Sequence, residues 1–282
     1  MAETEKPTMP PTLADLTRTT LEAIRGRQRS GLSIVEPAVS PEERARQLAT
    51  QQRSWARLLR RCGVPAVDAD KAACNAFELD RPLEPGEPQT DGAPKGRALT
   101  APGVVHRFVR SHRTLLLLLG PRGRGKTSAL AHFVSLAARA SKLDPNATHL
   151  PKDAPRFVKA WDLARSPLYG PDAPEERARD WRWLAIDELG GEPADERTRG
   201  RMKYLLDLAY GEGVRLVVAT QLRYGDAKKV REVHDAIAEG KAPARIADEY
   251  FTHRYGAHIW DRFVERGAVV AVKGPNRREA SA

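Results

Sequence analysis

Five short segments of this chain carry the apolar run of a buried strand: 114–119, 156–160, 181–187, 215–220 and 268–272. Between and around them run longer stretches with apolar residues at helical spacing. These predict helices over 102–111, 127–140, 202–210, 226–239 and 256–266, with a short one starting near Asp162. Apolar strands without polar alternation, alternating with helices, predict an α/β fold with a five-stranded parallel sheet covered by helices on both faces.

The first hundred residues follow a different pattern. Residues 1–11 are rich in Pro, Thr and Glu and are expected to be a disordered tail. Leu13, Leu16, Leu21 and Ile24 predict a short amphipathic helix, followed by the basic stretch 25–31. Ser40-Pro41-Glu42-Glu43 is a helix start, with Ser at the cap, Pro in the first turn and Glu at the capping-box position. That helix is expected to run to about Arg61, with Leu48, Trp55, Leu59 and Cys62 on its apolar stripe, and to stop at Gly63-Val64-Pro65. Its other face (Arg44, Arg46, Arg53, Arg57, Arg60) is either solvated or meets DNA or an acidic partner. Residues 81–96 hold four prolines and three glycines, too many for a regular element. The expected organisation is a tail (1–11), a helical region (12–80), a linker (81–98) and an α/β domain (99–282).

Composition is globular, with 41% hydrophobic and 30% charged residues. No apolar stretch has the length of a membrane span, and the N-terminus lacks a secretion signal, so a cytoplasmic location without membrane contact is expected. Cys62 and Cys74, separated by eleven residues, form no CxxC pair and read as reduced thiols. The net charge of +10 is uneven: residues 1–100 carry 15 Lys/Arg against 14 Asp/Glu, while 101–282 carry 32 against 23. A basic excess on the α/β half favours a polyanionic partner such as nucleic acid; an Arg-rich, GC-rich genome gives a similar bias.

Candidate chemistry begins directly after the run Leu115–Leu119. Gly120-Pro-Arg-Gly-Arg-Gly-Lys126-Thr127 is G-x-x-x-x-G-K-[ST], with a strand before it and a helix after it. The glycines let successive N–H groups face an anion, and the helix that follows points its positive dipole end at the same place. This is a phosphate-binding loop. Lys126 is expected to reach the outer phosphates, and the Thr127 hydroxyl to hold a magnesium ion. The expected nucleotide contacts are Gly120, Pro121, Arg122, Gly123, Arg124, Gly125, Lys126, Thr127 and Ser128, joined by Thr220 from a later strand end.

About sixty residues further on, Trp183-Leu-Ala-Ile-Asp187-Glu188 is an apolar strand ending in two acids. An apolar-apolar-Asp-Glu run is common alone. After a phosphate loop, with another strand between them in the chain, it places Asp187 as the magnesium ligand and Glu188 as the acid that polarises an attacking water. The intervening strand points to the ATPase branch with an additional strand rather than to small nucleotide kinases. Gln221, at the end of strand 215–220, is the candidate to position the water. Arg262 is the candidate Arg donated to a neighbouring subunit's site; Arg245, Arg254 and Arg266 compete with it, and an ion pair with Asp261 or Glu265 is the structural alternative.

Together these residues resemble the AAA+ ATPases, and within them the DnaC/IstB-like group of bacterial replicative-helicase loaders and transposon ATP-binding helpers. The resemblance runs from about Leu58 to the C-terminus. It takes in Leu58-Leu-Arg-Arg-Cys-Gly-Val-Pro65, Arg156-Phe-Val-Lys-Ala-Trp-Asp-Leu163, Leu184-Ala-Ile-Asp-Glu-Leu-Gly190, and a tail of His258-Ile-Trp-Asp-Arg262-Phe, Ala268-Val-Val-Ala-Val-Lys-Gly274 and Asn276-Arg-Arg278. Gln221 stands where that group usually has Asn, Phe263 replaces its Leu, and the few residues after the last strand imply a reduced or absent helical lid. What the resemblance implies is an ATPase using ATP and Mg2+, self-associating into a ring or spiral with Arg262 acting on the next subunit. Its partners would be a hexameric replicative helicase and single-stranded DNA, or a transposase and double-stranded target DNA. The 12–80 region would be partner-binding, and Tyr169 and Trp181 beside Arg177, Arg179 and Arg182 would be candidate DNA contacts. An adaptor that binds ATP without turning it over, and a small-molecule kinase with 173–182 as lid, are the other classes considered; Glu188 argues against the first and the Asp187-Glu188 pair against the second.

Overall fold

The computed structural model describes residues 40–83, 93–95, 97–167, 173–225 and 227–273. Expectations for the tail, the 13–24 helix, Tyr169 and the 276–278 ending lie outside the described residues. The chain divides into two compact units, Met1–Leu48 and Ala49–Ala282. Of the first, the described part is residues 40–48, all exposed, where the Glu43 N–H donates to Ser40 Oγ at 3.1 Å as the capping pattern requires. This cap opens helix α1, Pro41–Arg61.

In the second unit, α1 ends at Gly63 (φ 94) and is followed by α2, Ala66–Ala73, which the sequence pattern did not reveal. Strand β1 (Asp80–Pro82) pairs antiparallel with β2 (Arg97–Leu99). Arg81 and Pro82, expected in an irregular linker, therefore belong to a ladder, and proline is tolerated because the ladder has two strands and both are edges. Helix α3 (Ala101–Val109) is capped by Thr100, whose Oγ1 accepts from the Gly103 N–H at 3.2 Å. Then come β3 (Leu115–Leu119), α4 (Lys126–Ala140), β4 (Arg156–Lys159), α5 (Ala160–Arg165), α6 (Pro174–Ala178), β5 (Trp183–Leu189), α7 (Glu196–Gly211) and β6 (Arg215–Thr220). Helix α8 (Ala227–Ala238), a 3-10 turn (Ala244–Glu249), α9 (Phe251–Tyr255), α10 (Ala257–Arg266) and β7 (Gly267–Ala271) complete the order.

The main sheet has five parallel strands in the order β4-β5-β6-β3-β7. Strand β3 shows why it sits inside. Leu116 and Leu118 face one core with Leu58, Leu59, Val105, Phe108 and Phe133, while Leu115 and Leu117 face the other with Leu205, Leu206, Phe251 and Phe263. Each fully buried Leu contributes roughly 1.5–3 kcal/mol, so a five-leucine run is stable only where both faces are covered.

The first of those cores changes the domain picture. Leu58, Leu59, Cys62, Val64, Ala69 and Ala72 belong to it, and the Phe157 N–H of β4 donates to the Cys62 carbonyl at 2.8 Å. The second half of α1 and all of α2 are thus built into the sheet-bearing unit, Ala49–Ala282. Leu48 itself, expected on the buried stripe, is 55% exposed, whereas Leu58 is fully buried. Burial also raises the Cys62 thiol to about 11, so it is an inert packing residue. Trp181 is another correction: it is buried among Ile186, Leu205 and Leu206, so it presents no ring to a nucleic acid. Among the described residues no helix is long and apolar enough to cross a membrane.

Candidate nucleotide site

The loop between β3 and α4 has the backbone that its glycines permit, with φ of 150, 77 and 80 at Gly120, Gly123 and Gly125. Gly120 also has no room for a side chain, since a Cβ there would lie 2.8 Å from the Val272 carbonyl oxygen. Lys126 opens α4 and is 8% exposed; its Nζ donates to the carbonyls of Gly120 at 2.6 Å and Pro121 at 2.7 Å, which holds the ammonium inside the loop.

The two motifs meet. The Thr127 hydroxyl donates to Asp187 Oδ2 at 2.9 Å, joining the first turn of α4 to the C-terminal half of β5. Asp187 is 4% exposed; burial raises its pKa, and the hydrogen bonds from Thr127 and from the Glu188 N–H oppose that rise. A hydroxyl and a carboxylate at this separation fit magnesium, which takes hard oxygen ligands and keeps several waters and phosphate oxygens rather than demanding an all-protein cage. Among the described residues no group of three or more His, Cys, Asp and Glu forms such a cage.

Glu188 differs in every respect. Its side chain is half exposed, its Oε2 lies 3.5 Å from Lys159 Nζ at the end of β4, and its φ of 56 is the left-handed conformation that non-glycine residues avoid. The β5–β6 register shifts between Ile186 and Leu189, so the backbone bulges where Glu188 projects.

The remaining expected residues separate into those turned to the site and those committed elsewhere. Gln221 is exposed at the rim and its Oε1 accepts from Arg122 Nε at 3.1 Å, which leaves its amide N–H groups to face a ligand. Thr220 is fully buried; its hydroxyl donates to the Leu189 carbonyl at 2.6 Å and accepts from the Leu222 N–H at 3.0 Å. It therefore ties the ends of β5 and β6 together while also lining the cavity described below. The Ser128 hydroxyl donates to Asp68 Oδ1 of α2 at 2.7 Å, and both residues line the cavity. Arg262 is absent from the cavity of its own chain: it lies over the Tyr210 ring at 4.2 Å and pairs with Asp207 at 2.7 Å, not with Asp261 or Glu265. Arg254, a competing candidate, is 4% exposed and pairs with Glu192 at 3.2 Å.

The glycine-rich loop, Asp187, Glu188, Thr220 and Gln221 line a cavity of about 880 Å³. One wall is the loop 122–128 with Asp187, Glu188 and Gln221; the opposite wall comes from Val67, Asp68, Lys71, Phe77, Glu78 and Arg81. Lys273, just beyond β7, also reaches it. The second wall was missed because no local motif marks it; the one hint was an apolar residue followed by an acid soon after Pro65.

Strand β6 lies between the phosphate-loop strand β3 and the two-acid strand β5, and β4 forms the far edge. A parallel sheet in this order, the glycine-rich loop at its carboxyl edge, and Asp187 bonded to Thr127 define an α/β P-loop fold. No protein-family model matches the sequence, and no curated protein does. Among solved structures the chain is similar to the DnaC helicase loader, at 15% identity over 60% of this chain and 86% of that one with a TM-score of 0.41. It is similar to DnaI at 16% identity, covering 62% of this chain and 80% of that one with a TM-score of 0.38. It also resembles AMPPCP-bound DnaA from Aquifex aeolicus, at 14% identity over 62% of this chain and 46% of that one with a TM-score of 0.39.

Proposed function

We propose that this chain is an ATP-hydrolysing AAA+ protein of the DnaC/IstB-like group that acts in DNA replication by loading a hexameric helicase. The observation that carries the ATPase reading is the 2.9 Å bond between Thr127 and Asp187, with Glu188 beside it, its backbone left-handed and its side chain half exposed. The amides of 122–126 and Lys126 would hold the outer phosphates. Thr127 and Asp187 would ligate magnesium, whose chemistry is to neutralise charge on the phosphate oxygens. Glu188 would take a proton from the attacking water, and the Gln221 amide would donate to that water or to the terminal phosphate. Lys159 would hold the Glu188 carboxylate to one side until a nucleotide and water compete for it.

Arg262 would act on the site of the next subunit, because it points away from its own cavity while Asp207 and the Tyr210 ring hold it. A ring or spiral would follow, with DNA held by the basic excess of residues 101–282. The 1–48 unit, separate from the sheet-bearing unit, would carry the contact to the partner. Steady-state ATP hydrolysis with Glu188→Gln tests the chemistry: turnover should fall by roughly 10²–10³-fold while ATP still binds. Undiminished turnover would remove Glu188 from the mechanism. The same variant, used as an ATP-loaded trap in affinity purification from the native cell, should retain a replicative helicase; recovery of a transposase instead would move the chain to the transposition-helper branch.

A further inference from the structure

Four residues beyond Glu188 lies a carboxylate that the proposed chemistry does not use. The Glu192 side chain has no exposed surface. Its Oε2 accepts from the Gly190 N–H at 2.8 Å. Its Oε1 accepts from the Tyr255 hydroxyl and lies 3.2 Å from Arg254 Nη2, which also donates to the Glu192 carbonyl. Arg254 and Tyr255 end α9 and are buried with it. An ion pair this deep seldom stabilises a fold more than apolar packing would, since both charges must be stripped of water. In some proteins such a pair instead fixes one arrangement against its alternatives.

The arrangement held here is the turn 189–192. Gly190 has φ 92 and packs so tightly that a Cβ on it would meet the Leu222 side chain at 2.7 Å. The Gly191 N–H donates to the Glu188 carbonyl at 2.8 Å, closing the turn directly onto the residue with the left-handed backbone. The far side of the network reaches the other half of the site. The Arg223 N–H donates to the Glu249 carbonyl at 2.7 Å, and the Phe251 N–H donates to the Arg223 carbonyl at 2.9 Å. Helix α9 therefore starts on the segment leaving Gln221 and ends on the turn leaving Glu188.

We propose that Glu192, Arg254 and Tyr255 are positioning residues that keep Glu188 in its left-handed conformation, with its carboxylate aimed at the water. This rests on the reading of Glu188 as the water-polarising acid. Without the buried carboxylate, Gly190 loses its acceptor, the bulge relaxes, and Glu188 swings away while the phosphate loop stays intact. The consequence is a kinetic split: turnover falls and nucleotide affinity does not.

The test uses the full chain, with steady-state ATP hydrolysis for kcat and KM and fluorescent mant-ATP binding for affinity. Glu192→Gln should lower kcat by about tenfold or more, with mant-ATP affinity within about twofold of wild type. The double variant Glu188→Gln/Glu192→Gln should be no slower than Glu188→Gln alone. Tyr255→Phe, which deletes a single hydroxyl, should show the same split at about threefold; if Glu192→Gln does not fold, this variant decides the matter. Unchanged kcat, or a parallel loss of kcat and affinity that adds to the effect of Glu188→Gln, overturns the proposal. If Glu188→Gln alone leaves turnover unaltered, it is the catalytic reading that fails, a result visible before any Glu192 variant is compared.

Discussion

The two walls of the cavity were made in different ways. Much of the phosphate-facing wall is continuous in the chain: residues 122–128 follow one strand, and a glycine backbone leading into a helix N-terminus is a locally encoded anion-binding arrangement. The opposite wall, 67–81, is assembled from outside the sheet by α2 and the strand after it. It is held to the loop helix by the Ser128 hydroxyl bond to Asp68 and by the Ser135 hydroxyl, which donates to the Ala72 carbonyl at 3.4 Å, and by apolar packing of Ala69 and Ala72 on the core. A local motif carries its own geometry; a wall formed by packing depends on everything beneath it. The first should therefore break by chemistry and the second by stability.

Lys126→Ala would break the first wall most severely. Removing the ammonium that sits between the Gly120 and Pro121 carbonyls should lower kcat/KM for ATP by about 10³-fold, roughly 4 kcal/mol, with little change in the thermal midpoint. Hydrolysis assays and a melting curve on the same protein check both halves.

Acid should attack the second wall. His132 on α4 is 5% exposed, stacks on His106 and meets the edge of Phe77 in the 67–81 wall. Burial lowers its pKa to about 4, with His106 and Arg139 adding to the effect. The unfolded chain therefore binds a proton that the folded chain refuses. Stability from this group is complete above the ordinary value of 6.5 and is lost as pH falls toward 4, to the extent of roughly 3 kcal/mol. His132→Leu should flatten the dependence of the melting temperature on pH between 7 and 4.5; an unchanged slope would assign it elsewhere.

A smaller effect separates the walls at their junction. Asp68→Ala should weaken ATP binding and lower stability together, by about 1–2 kcal/mol, because Ser128 is left with no acceptor. Ser128→Ala in the same background should add little, and calorimetric binding with a double-mutant cycle measures this. The smallest effect belongs to Lys159→Met. Its half-exposed pair with Glu188 contributes no more than about 0.5 kcal/mol to folding, so the melting temperature should hold while the resting hydrolysis rate shifts.

Much of the sheet was legible because its strands are apolar through their length and its helices are marked at their ends. Leu115–Leu119 reads as a doubly buried strand, and Arg215–Thr220 was bounded to the residue. What escaped was whatever lacks a local signal. Helix α2 is eight residues of mostly alanine and acid, too short to show a period. Pro82 argued against a strand that exists because its ladder has only edges. Trp181, between Asp180 and Arg182, looked like surface, yet it is buried in the core that α7 helps to form.

By itself the sequence determined the phosphate loop, the Asp187-Glu188 pair and the alternation of strand and helix, since each is written in adjacent residues whose chemistry is local. Only the tertiary structure decided that Thr220 and Ser128 spend their hydroxyls on other partners, that Arg262 leaves its own cavity for Asp207, and that residues 67–81 close the site. Those outcomes depend on which distant groups arrive within hydrogen-bonding or contact distance. A buried polar atom takes the nearest satisfying partner, and that partner is fixed by packing rather than by neighbours in the chain.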